Sequence, residues 1–329
     1  MTKIKALALF SGGLDSILAV KLMLEQGIDV VALNFVTFCL CEKGCGVAEA
    51  AKQLNVPLKF VDVGGEYLRM VRKPKHGHGR NMNPCVDCRI FILKKAKKYA
   101  EEIDASFIFT GEVLGERPMS QHFQAMQLIE KEAGLKGKIL RPLSARLLPE
   151  TVLEKEGLVD RAKLLGIRGR SRKPQIKLAE EYGIKVYPSP AGGCLLTCKE
   201  YADKLSDLFK HKKRCSVADV ALLKVGRHFR LGENKIIVGR NEAENKILTA
   251  EKARNDYYFE VPDVGSPITV LQGAKTKKAI RATAALTAFY ADVKGGEATV
   301  KFGRESLRES VTVSIPSRAE VERLRVGNC

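Results

Sequence analysis

The segment IKALALFSGGLDSILAVKLMLEQG, residues 4–27, decides the fold of the first half of the chain. The apolar run at 4–10 predicts a buried strand, and the glycines that follow predict a turn. The residues from Asp15 onward are amphipathic and predict a helix that ends at Gly27. A strand that passes through a glycine turn into a helix is typical of an α/β fold.

Strands continue to alternate with helices along the chain. Apolar runs at 29–36, 58–63 and 106–110 predict strands, and the stretches at 46–54 and 88–103 predict helices. We therefore predict an α/β fold with a doubly wound parallel sheet, followed by a smaller C-terminal α+β domain. Ligands bind beyond the carboxyl ends of the strands in such sheets. The segments 11–16, 39–45 and 110–112 follow predicted strands, so we expect them to meet at one rim.

The chain changes character near the basic junction at 210–214, where short β-like runs replace the alternating pattern. We place a domain boundary near 208–216, with a first domain at 1–208 and a second, basic domain at 209–329.

Charge gives the first indication of a partner. The chain holds 56 Lys and Arg against 38 Asp and Glu, a net charge of +18, and residues 210–329 carry half of this excess. Such a surplus attracts polyanions, of which nucleic acid is the commonest in the cytoplasm. No apolar stretch is long enough to span a bilayer and no signal-peptide pattern is visible, so we expect a cytoplasmic protein without a membrane partner.

The turn at residues 11–16 has the chemistry of a phosphate-binding loop. Its two glycines let backbone N–H groups approach an anion, and the following helix adds a favourable dipole. The side chains expected to contact a nucleotide or its Mg²⁺ belong to Ser11, Asp15 and Ser16, beside Gly12 and Gly13. A plain strand–helix turn with a polar cap would have the same outline.

The complete pattern SGGxDS after a strand resembles the PP-loop of ATP pyrophosphatases, within the adenine nucleotide α-hydrolase-like fold. The resemblance implies that the protein binds ATP and Mg²⁺, cleaves ATP between the α and β phosphates, and adenylates its substrate. The GxxxxGK[ST] pattern of γ-phosphate transfer is absent from the sequence.

Three further motifs, in this order, resemble tRNA 2-thiouridylases and tRNA 4-thiouridine synthases. They are Asn83-Pro84-Cys85-Val86-Asp87-Cys88, the stretch from Thr110-Gly111-Glu112 to Ser120-Gln121, and Ala191-Gly192-Gly193-Cys194. Both families replace a uracil carbonyl oxygen of tRNA by sulfur. The resemblance implies catalytic roles for Asp15, Cys85, Cys88 and Cys194, and nucleotide-binding roles for Gly111 and Glu112. Glu112 could equally cap the next helix.

The resemblance to these families is incomplete. We find neither the THUMP-type domain nor the rhodanese domain that 4-thiouridine synthases can carry, and we expect other residues to bind RNA. Residues 224–245 resemble the NFACT-type RNA-binding domain, with its signature at Gly239-Arg240-Asn241 and Glu244-Asn245. RNA-binding candidates are the basic residues Arg168, Arg170, Arg172, Lys173, Lys212, Lys213, Arg214, Arg227 and Arg240.

Three interpretations fit the thiols of Cys85, Cys88 and Cys194. They could hold three irons of a [4Fe–4S] cluster and leave the fourth iron open, as in some tRNA thiolases that the chain resembles. One thiol could instead carry a persulfide that another resolves. Zinc, with Cys198 or a histidine as fourth ligand, is the structural alternative. We favour the cluster, with sulfide or a persulfide carrier as the sulfur donor.

Two other motifs are interpreted as structural features. Cys39, Cys41 and Cys45 match no zinc signature, so we interpret them as buried small residues rather than as a second metal site or a sulfur relay. The segment His76-Gly77-His78-Gly79-Arg80 predicts a mobile loop over the active site.

The sequence predicts an ATP-dependent tRNA uridine sulfurtransferase. An adenylating ligase and a non-catalytic RNA-binding protein are the alternatives. The modified uridine, the 2- or 4-position and the oligomeric state, for which a homodimer is one option, stay open.

Overall fold

The computed structural model describes residues 4–39, 45–187 and 194–327, without the side chain of Cys45. The chain divides into two compact units, Met1–Thr197 and Cys198–Cys329. No helix in the described ranges is both long and apolar enough to cross a membrane.

The first unit alternates strands and helices, as the sequence predicts. Its elements are β1 (Lys5–Leu9), α1 (Leu14–Glu25), β2 (Asp29–Val36), α2 (Cys45–Gln53), β3 (Leu58–Asp62), α3 (Gly64–Arg72), α4 (Cys85–Glu102), β4 (Phe107–Thr110), α5 (Phe123–Ala133), β5 (Ile139–Leu140), α6 (Val152–Lys155) and α7 (Lys173–Glu181). The described strands form one parallel sheet in the order β3-β2-β1-β4-β5.

Both faces of this sheet are buried. Ala6 and Ala8 of β1 and Phe109 of β4 belong to the core that α1, α2 and α7 cover. Leu7 and Ile108 alternate with them and are also buried, on the opposite face. There α4 packs on β1 and β4, and α3 and α5 pack on α4. The doubly wound α/β fold is confirmed.

The second unit is smaller and antiparallel. Its elements are α8 (Lys199–His211), α9 (Val217–Ala221), β6 (Arg227–Leu231), β7 (Asn234–Val238), α10 (Glu242–Glu251), β8 (Tyr257–Glu260), β9 (Thr269–Gln272), α11 (Lys277–Phe289), β10 (Glu297–Gly303), β11 (Glu309–Ser314) and α12 (Arg318–Leu324). The sheet order is β11-β10-β8-β9-β7-β6, and α11 packs on it over a core that includes Phe229, Phe259 and Leu271. The predicted α+β character of this domain is confirmed.

The division between the units precedes α8, whereas the sequence places it near 208–216, after most of that helix. Polar contacts explain the difference. Asp207 of α8 accepts a hydrogen bond from Nε of Arg230 at 2.9 Å and lies 4.0 Å from Nζ of Lys235. Lys204 of α8 donates to the carbonyl of Gly226 at 3.4 Å. The partners of α8 therefore lie on β6 and β7, which a hydropathy pattern cannot show.

Asp207→Ala should destabilise β6 and β7, because it leaves the nearly buried Arg230 and Lys235 without their carboxylate. We expect a loss of about 3 kcal/mol in the free energy of opening. Hydrogen exchange of the β6 and β7 amides, followed by mass spectrometry, measures it. Asp203→Ala on the same helix breaks only the exposed pair with Lys199 and should cost less than about 1 kcal/mol. Equal protection in the two variants would contradict the assignment of α8 to this unit.

Candidate active site

The carboxyl ends of β1, β2 and β4 lie side by side at one edge of the parallel sheet. Chain order reverses at β1, which pairs with β2 on one side and β4 on the other. Ligands bind at such a switch point in open α/β sheets. Residues 11–16 follow β1, residues 37–39 follow β2 and residues 110–112 follow β4. The described parts of the three predicted segments therefore meet at one rim.

The loop after β1 is shaped by two glycines. Gly12 has a left-handed backbone, with φ of +75°, and a Cβ atom there would lie 2.9 Å from Cα of Val47. Only glycine satisfies both conditions. The hydroxyl of Ser16 donates to the carbonyl of Gly13 at 2.8 Å and closes the turn. Gly13 supplies no side-chain cap to α1, so the N–H groups of the first helical turn are available to an anion.

Gly111 brings the segment after β4 into contact with this loop. A Cβ atom at Gly111 would lie 2.5 Å from the nitrogen of Ser16 and 2.6 Å from the carbonyl carbon of Asp15. Both neighbours are backbone atoms, which cannot move aside without distorting the loop. The shape of the predicted phosphate loop therefore depends on a glycine at position 111.

Asp15 is held by a residue that the sequence analysis did not select. The Nε2 group of Gln175 donates to Oδ1 of Asp15 at 3.2 Å, and Gln175 is fully buried. Burial raises the pKa of Asp15, while the Gln175 hydrogen bond and the positive charges of Arg172 and Arg117 oppose this shift. A carboxylate in such surroundings gains from a nearby cation, as its predicted Mg²⁺-binding role requires. Gln175 lies far from Asp15 in the chain, and no local pattern links them.

Glu112 is the centre of a buried ion-pair network. Its Oε1 lies 3.2 Å from Nε of Arg89, and its Oε2 accepts from Nε of Arg141 at 3.0 Å. Burial tends to raise the pKa of Glu112, but Arg89 and Arg141 together hold it below its usual value. Both oxygens are thus occupied by protein partners, and Glu112 does not cap α5, whose cap residue is His122. The predicted contact of Glu112 with nucleotide stays a prediction; what the structure shows is that Glu112 positions Arg89.

Arg89 connects this network with the cysteines. It follows Cys88 in the first turns of α4, and the charges of Glu112 and then of Cys88 and Cys85 raise the pKa of its guanidinium against the effect of burial. Glu116 lies within the electrostatic range of both Asp15 and Arg89. The phosphate loop and the cysteines of α4 therefore border the same site.

Cys85 and Cys88 lie at the amino end of α4, where the helix dipole favours thiolates. The amide of Asn83 donates to Sγ of Cys85 at 3.1 Å, and the hydroxyl of Tyr67 donates to Sγ of Cys88 at 3.2 Å. Burial nevertheless raises the pKa of Cys88 to about 11. Tyr67 lies on α3, whose helical character the sequence analysis did not predict.

The fourth thiol of this cluster is Cys39. Its side chain is hydrogen-bonded with that of Cys194, and its carbonyl accepts from the backbone N–H of Leu195 at 3.0 Å. Its Sγ also lies 3.5 Å from the Tyr67 hydroxyl. The pKa of Cys39 is lowered to about 6, chiefly by the hydrogen bond with Cys194, while burial opposes the shift and the hydroxyls of Thr37 and Tyr67 lower it further.

Cys39 is buried, as we expected, but it is also a member of the thiol cluster, which the sequence analysis did not foresee. Cys41 and the side chain of Cys45 lie outside the described residues. The signal for Cys39 was its place after β2, at the same rim as the phosphate loop.

The donor chemistry of the cluster suits a thiophilic metal or an iron–sulfur cluster, because four thiols share one patch. Within the described ranges, however, no three His, Cys, Asp or Glu side chains surround a common point as a ready metal site. The chain therefore supplies the thiols that an iron–sulfur cluster needs, and in this structure these cysteines are free thiols.

The segment 76–80, which we predicted to be a mobile loop, has several hydrogen bonds at its start, and its mobility stays a prediction. The carboxylate of Asp87 accepts the N–H groups of Lys75 and His76, each at 2.9 Å. The His78 ring bonds to the carbonyl of Val71 at 2.8 Å. These contacts join the segment to α3 and α4. The carboxylate at position 87 was visible in the sequence, but its partners were not.

The basic run at 168–173 reaches the rim of the site. Gly169 donates its N–H to the carbonyl of Leu114 at 2.7 Å, just beyond the 110–112 segment. Arg172 lies within charge range of Asp15, and Arg168, Arg170 and Lys173 are exposed. Their predicted role in RNA binding stays a prediction, and Arg172 is equally placed to face a nucleotide phosphate.

In the second unit, several predicted RNA-binding residues have protein partners. Arg227 stacks on Tyr290 with its guanidinium 4.5 Å from the ring centre, and Arg240 pairs with Glu244. Asn241 caps α10, and the Asn245 side-chain oxygen accepts a hydrogen bond from the backbone N–H of Ile268, the residue before β9. The NFACT-like signature therefore also builds a turn and a helix cap. Lys212 pairs with Asp219, while Lys213 and Arg214 are exposed.

Comparison with known proteins gives two family matches. Residues 1–179 match the family described as thiamine biosynthesis protein (ThiI), and residues 226–324 match the NFACT protein RNA binding domain. A probable tRNA sulfurtransferase of Thermococcus kodakarensis is 30% identical over 183 residues, which cover 53% of this chain and 44% of that protein. The chain thus spans less than half the length of this curated relative.

Two solved structures show a weak overall likeness. A 4-thiouridine synthetase–RNA complex with bound ATP has 19% identity and a TM-score of 0.37, over 67% of this chain and 52% of that one. The U34-tRNA thiolase NcsA from Methanococcus maripaludis with its [4Fe-4S] cluster has 17% identity and a TM-score of 0.32, over 67% and 69% of the two chains.

Gly111→Ala should weaken Mg·ATP binding by about 100-fold, because the added Cβ displaces the backbone that shapes the phosphate loop. Isothermal titration calorimetry measures the affinity. Gly65→Ala is the matched control, since a Cβ there meets nothing within 4 Å. If the two variants bind ATP alike, the phosphate loop does not depend on the contact with Gly111.

Tyr67→Phe should raise the pKa of Cys39 from about 6 by roughly one unit, because it removes a hydroxyl that lowers this pKa. At neutral pH the fraction of Cys39 thiolate should fall. The midpoint is read from thiolate absorbance at 240 nm in metal-free protein, as the component that Cys39→Ser abolishes. Tyr99→Phe, near the other end of α4, is the control. An unchanged midpoint in Tyr67→Phe would contradict the contact.

Proposed function

Because this chain belongs to the ThiI family, we propose that it is an ATP-dependent tRNA uridine sulfurtransferase. The observation that carries the proposal is the shared site: a glycine loop fit for ATP phosphates and a cluster of thiols, joined through Gly111, Glu112 and Arg89. An adenylating ligase has no use for four clustered thiols, and a non-catalytic RNA-binding protein has no use for the loop.

The first step is adenylation. ATP with Mg²⁺ binds at Ser11, Gly12, Gly13, Asp15 and Ser16. A uracil carbonyl oxygen attacks the α-phosphorus, the bond between this phosphorus and the bridging oxygen breaks, and pyrophosphate leaves. The first turn of α1 and nearby cations such as Arg172 offset the charge of the phosphates. Oxide, a poor leaving group, is thereby converted into AMP.

The second step introduces sulfur. Hydrosulfide adds to the activated uracil carbon, AMP leaves with the former carbonyl oxygen, and the S–H proton passes to solvent. When a persulfide carrier supplies the sulfur, one cysteine first takes the outer sulfur as a persulfide and the carrier thiol leaves. This outer sulfur displaces AMP, a second cysteine thiolate attacks the inner sulfur so that the S–S bond breaks and thiouridine leaves, and an external thiol reduces the resulting disulfide. Cys85, Cys88 and Cys194 confine the sulfur to the site, and Arg89 places positive charge beside Cys85 and Cys88.

We assign a [4Fe–4S] cluster to Cys85, Cys88 and Cys194, with persulfide chemistry on the same thiols as the alternative. When bound, the cluster would supply one iron without a protein ligand, open to sulfur. What supports this is the set of thiols in one patch, two of them on the first turns of a helix. Zinc would compete for the same donors.

The proposal is tested with purified protein, Mg·ATP, unmodified tRNA transcripts and sulfide under anaerobic conditions. AMP and pyrophosphate report adenylation, and mass spectrometry of the digested tRNA reports thiouridine. Asp15→Asn should lower AMP formation by about 100-fold, since it loses the carboxylate that faces Mg²⁺. Cys85→Ser, Cys88→Ser and Cys194→Ser should retain tRNA-dependent AMP formation and lose thiouridine, whereas Cys215→Ser, in the second unit, should retain both.

Three outcomes are informative. Thiouridine from the cysteine variants would refute their role in sulfur insertion, and AMP formation that tRNA does not stimulate would refute tRNA as the substrate. Iron and acid-labile sulfide of about four each per chain would support the cluster. Zinc alone in an active preparation would refute the cluster and leave the thiolase proposal intact.

A further inference from the structure

The positive charge of the first unit is concentrated in one segment. Residues 64–98 hold ten Lys and Arg against two Asp and Glu, a net charge of +8. The other residues of the first 209 hold 23 Lys and Arg against 22 Asp and Glu and are close to neutral. This segment was not among the RNA-binding candidates from the sequence.

The segment folds into α3, α4 and the connection between them. The two helices pack side by side, with the rings of Tyr67 and Phe91 at 5.8 Å and an ion pair between Glu66 and Lys95. Their exposed sides carry two stripes spaced four residues apart. These stripes are Arg69 of α3 with Lys73, the residue directly after α3, and Lys94 with Lys98 on α4.

The stripes form one continuous surface. The pKa of Glu66 is lowered by Lys95 first and then by Arg69 and Lys98, so cations from both helices surround this carboxylate. The other acidic residue of the segment, Asp87, is buried and bound to backbone N–H groups. Glu66 offsets only part of the positive charge of this surface, because one carboxylate faces Lys95, Arg69 and Lys98 together.

The connection between the helices is held by hydrogen bonds and carries a cation of its own. Besides the contacts of Asp87 and His78, the Asn81 carboxamide donates to the carbonyl of Thr197 at 2.7 Å. Arg80, beside Asn81, is exposed. A preordered charged surface loses less entropy on binding than a mobile loop does.

The same two helices carry the thiol site on their inner sides. Tyr67 contacts Cys39 and Cys88 from α3, and Cys88 itself belongs to α4. The helices that carry the outer stripes are therefore the same helices that carry Tyr67 and Cys88 of the thiol cluster. Two parallel rows of cations suit a chain of phosphates better than a single small anion.

We propose that the α3–α4 face, with Arg69, Lys73, Lys94 and Lys98 at its centre, binds the phosphate backbone of RNA and holds it against the thiol site. The proposal rests on the proposed function, because it takes the RNA to be the substrate. These contacts position the RNA without reading its sequence, and base recognition is left to other residues.

The test compares two fourfold charge reversals in the full chain. The first replaces Arg69, Lys73, Lys94 and Lys98 by Glu. The second, a matched control, replaces the exposed Lys52, Lys163, Lys177 and Lys185 of the α1, α2 and α7 side by Glu. Fluorescence anisotropy measures binding to a labelled tRNA transcript over a range of salt concentrations, and thermal unfolding verifies the fold.

We expect the first variant to bind tRNA about 100-fold more weakly at 0.1 M salt, with the slope of log K against log salt flattened by about three. The control should lose less than about tenfold. Because reversal can also repel RNA from a nearby site, the fourfold Gln variant is measured too, and it should flatten the slope equally. Equal affinity and slope in the Gln variant and the wild type would overturn the proposal, as would equal losses in both Glu variants.

Mg·ATP affinity and thiouridine formation separate this proposal from the proposed function. The α3–α4 variants should keep wild-type ATP affinity and lose thiolation only at limiting tRNA. If wild-type protein binds tRNA through this face and makes no thiouridine, the proposed function fails and the surface stands. If thiolation proceeds and the α3–α4 variants match wild type at limiting tRNA, the surface proposal fails and the function stands.

Discussion

The close packing of the segment after β4 against the loop after β1 is the constraint on which the site depends. Gly111 leaves no space for a side chain against the backbone of Asp15 and Ser16. The next residue, Glu112, is buried between Arg89 and Arg141. An unpaired carboxylate would not be tolerated there, so the two arginines are fixed together with it. One short segment thus sets both the phosphate loop and the charge beside the thiols.

This arrangement gives the thiols unequal properties. Burial keeps Cys88 protonated, with a pKa of about 11, whereas hydrogen bonding lowers the pKa of Cys39 to about 6. Cys194, bonded to Cys39, has a raised pKa. The hydrogen bond between Cys39 and Cys194 therefore makes these two thiols chemically unequal.

The sequence predicted those features that depend on residues close together in the chain. The strand–glycine–helix pattern and the alternation of elements predicted the sheet and the rim, because both follow from periodicity and turn residues. Gln175 and Cys39 were missed because their partners, Asp15 and Cys194, lie far away in the chain. Helix α8, most of which the sequence analysis places in the first domain, falls in the second compact unit, because its partners Arg230 and Lys235 also lie far away in the chain. The charge of residues 64–98 was visible in the sequence, but averaging over 209 residues concealed it.

The central claim is that nucleotide and sulfur chemistry share one cleft. An anaerobic crystal structure with a non-hydrolysable ATP analogue, recorded at the iron absorption edge, tests it most directly. The account predicts that the phosphates lie on residues 11–16. At Cys85, Cys88 and Cys194 it predicts either anomalous signal from iron or electron density for the sulfur atoms alone. The α-phosphate should face those sulfurs across open solvent. Phosphates bound elsewhere, or an α-phosphate separated from the three sulfurs by protein, would contradict it.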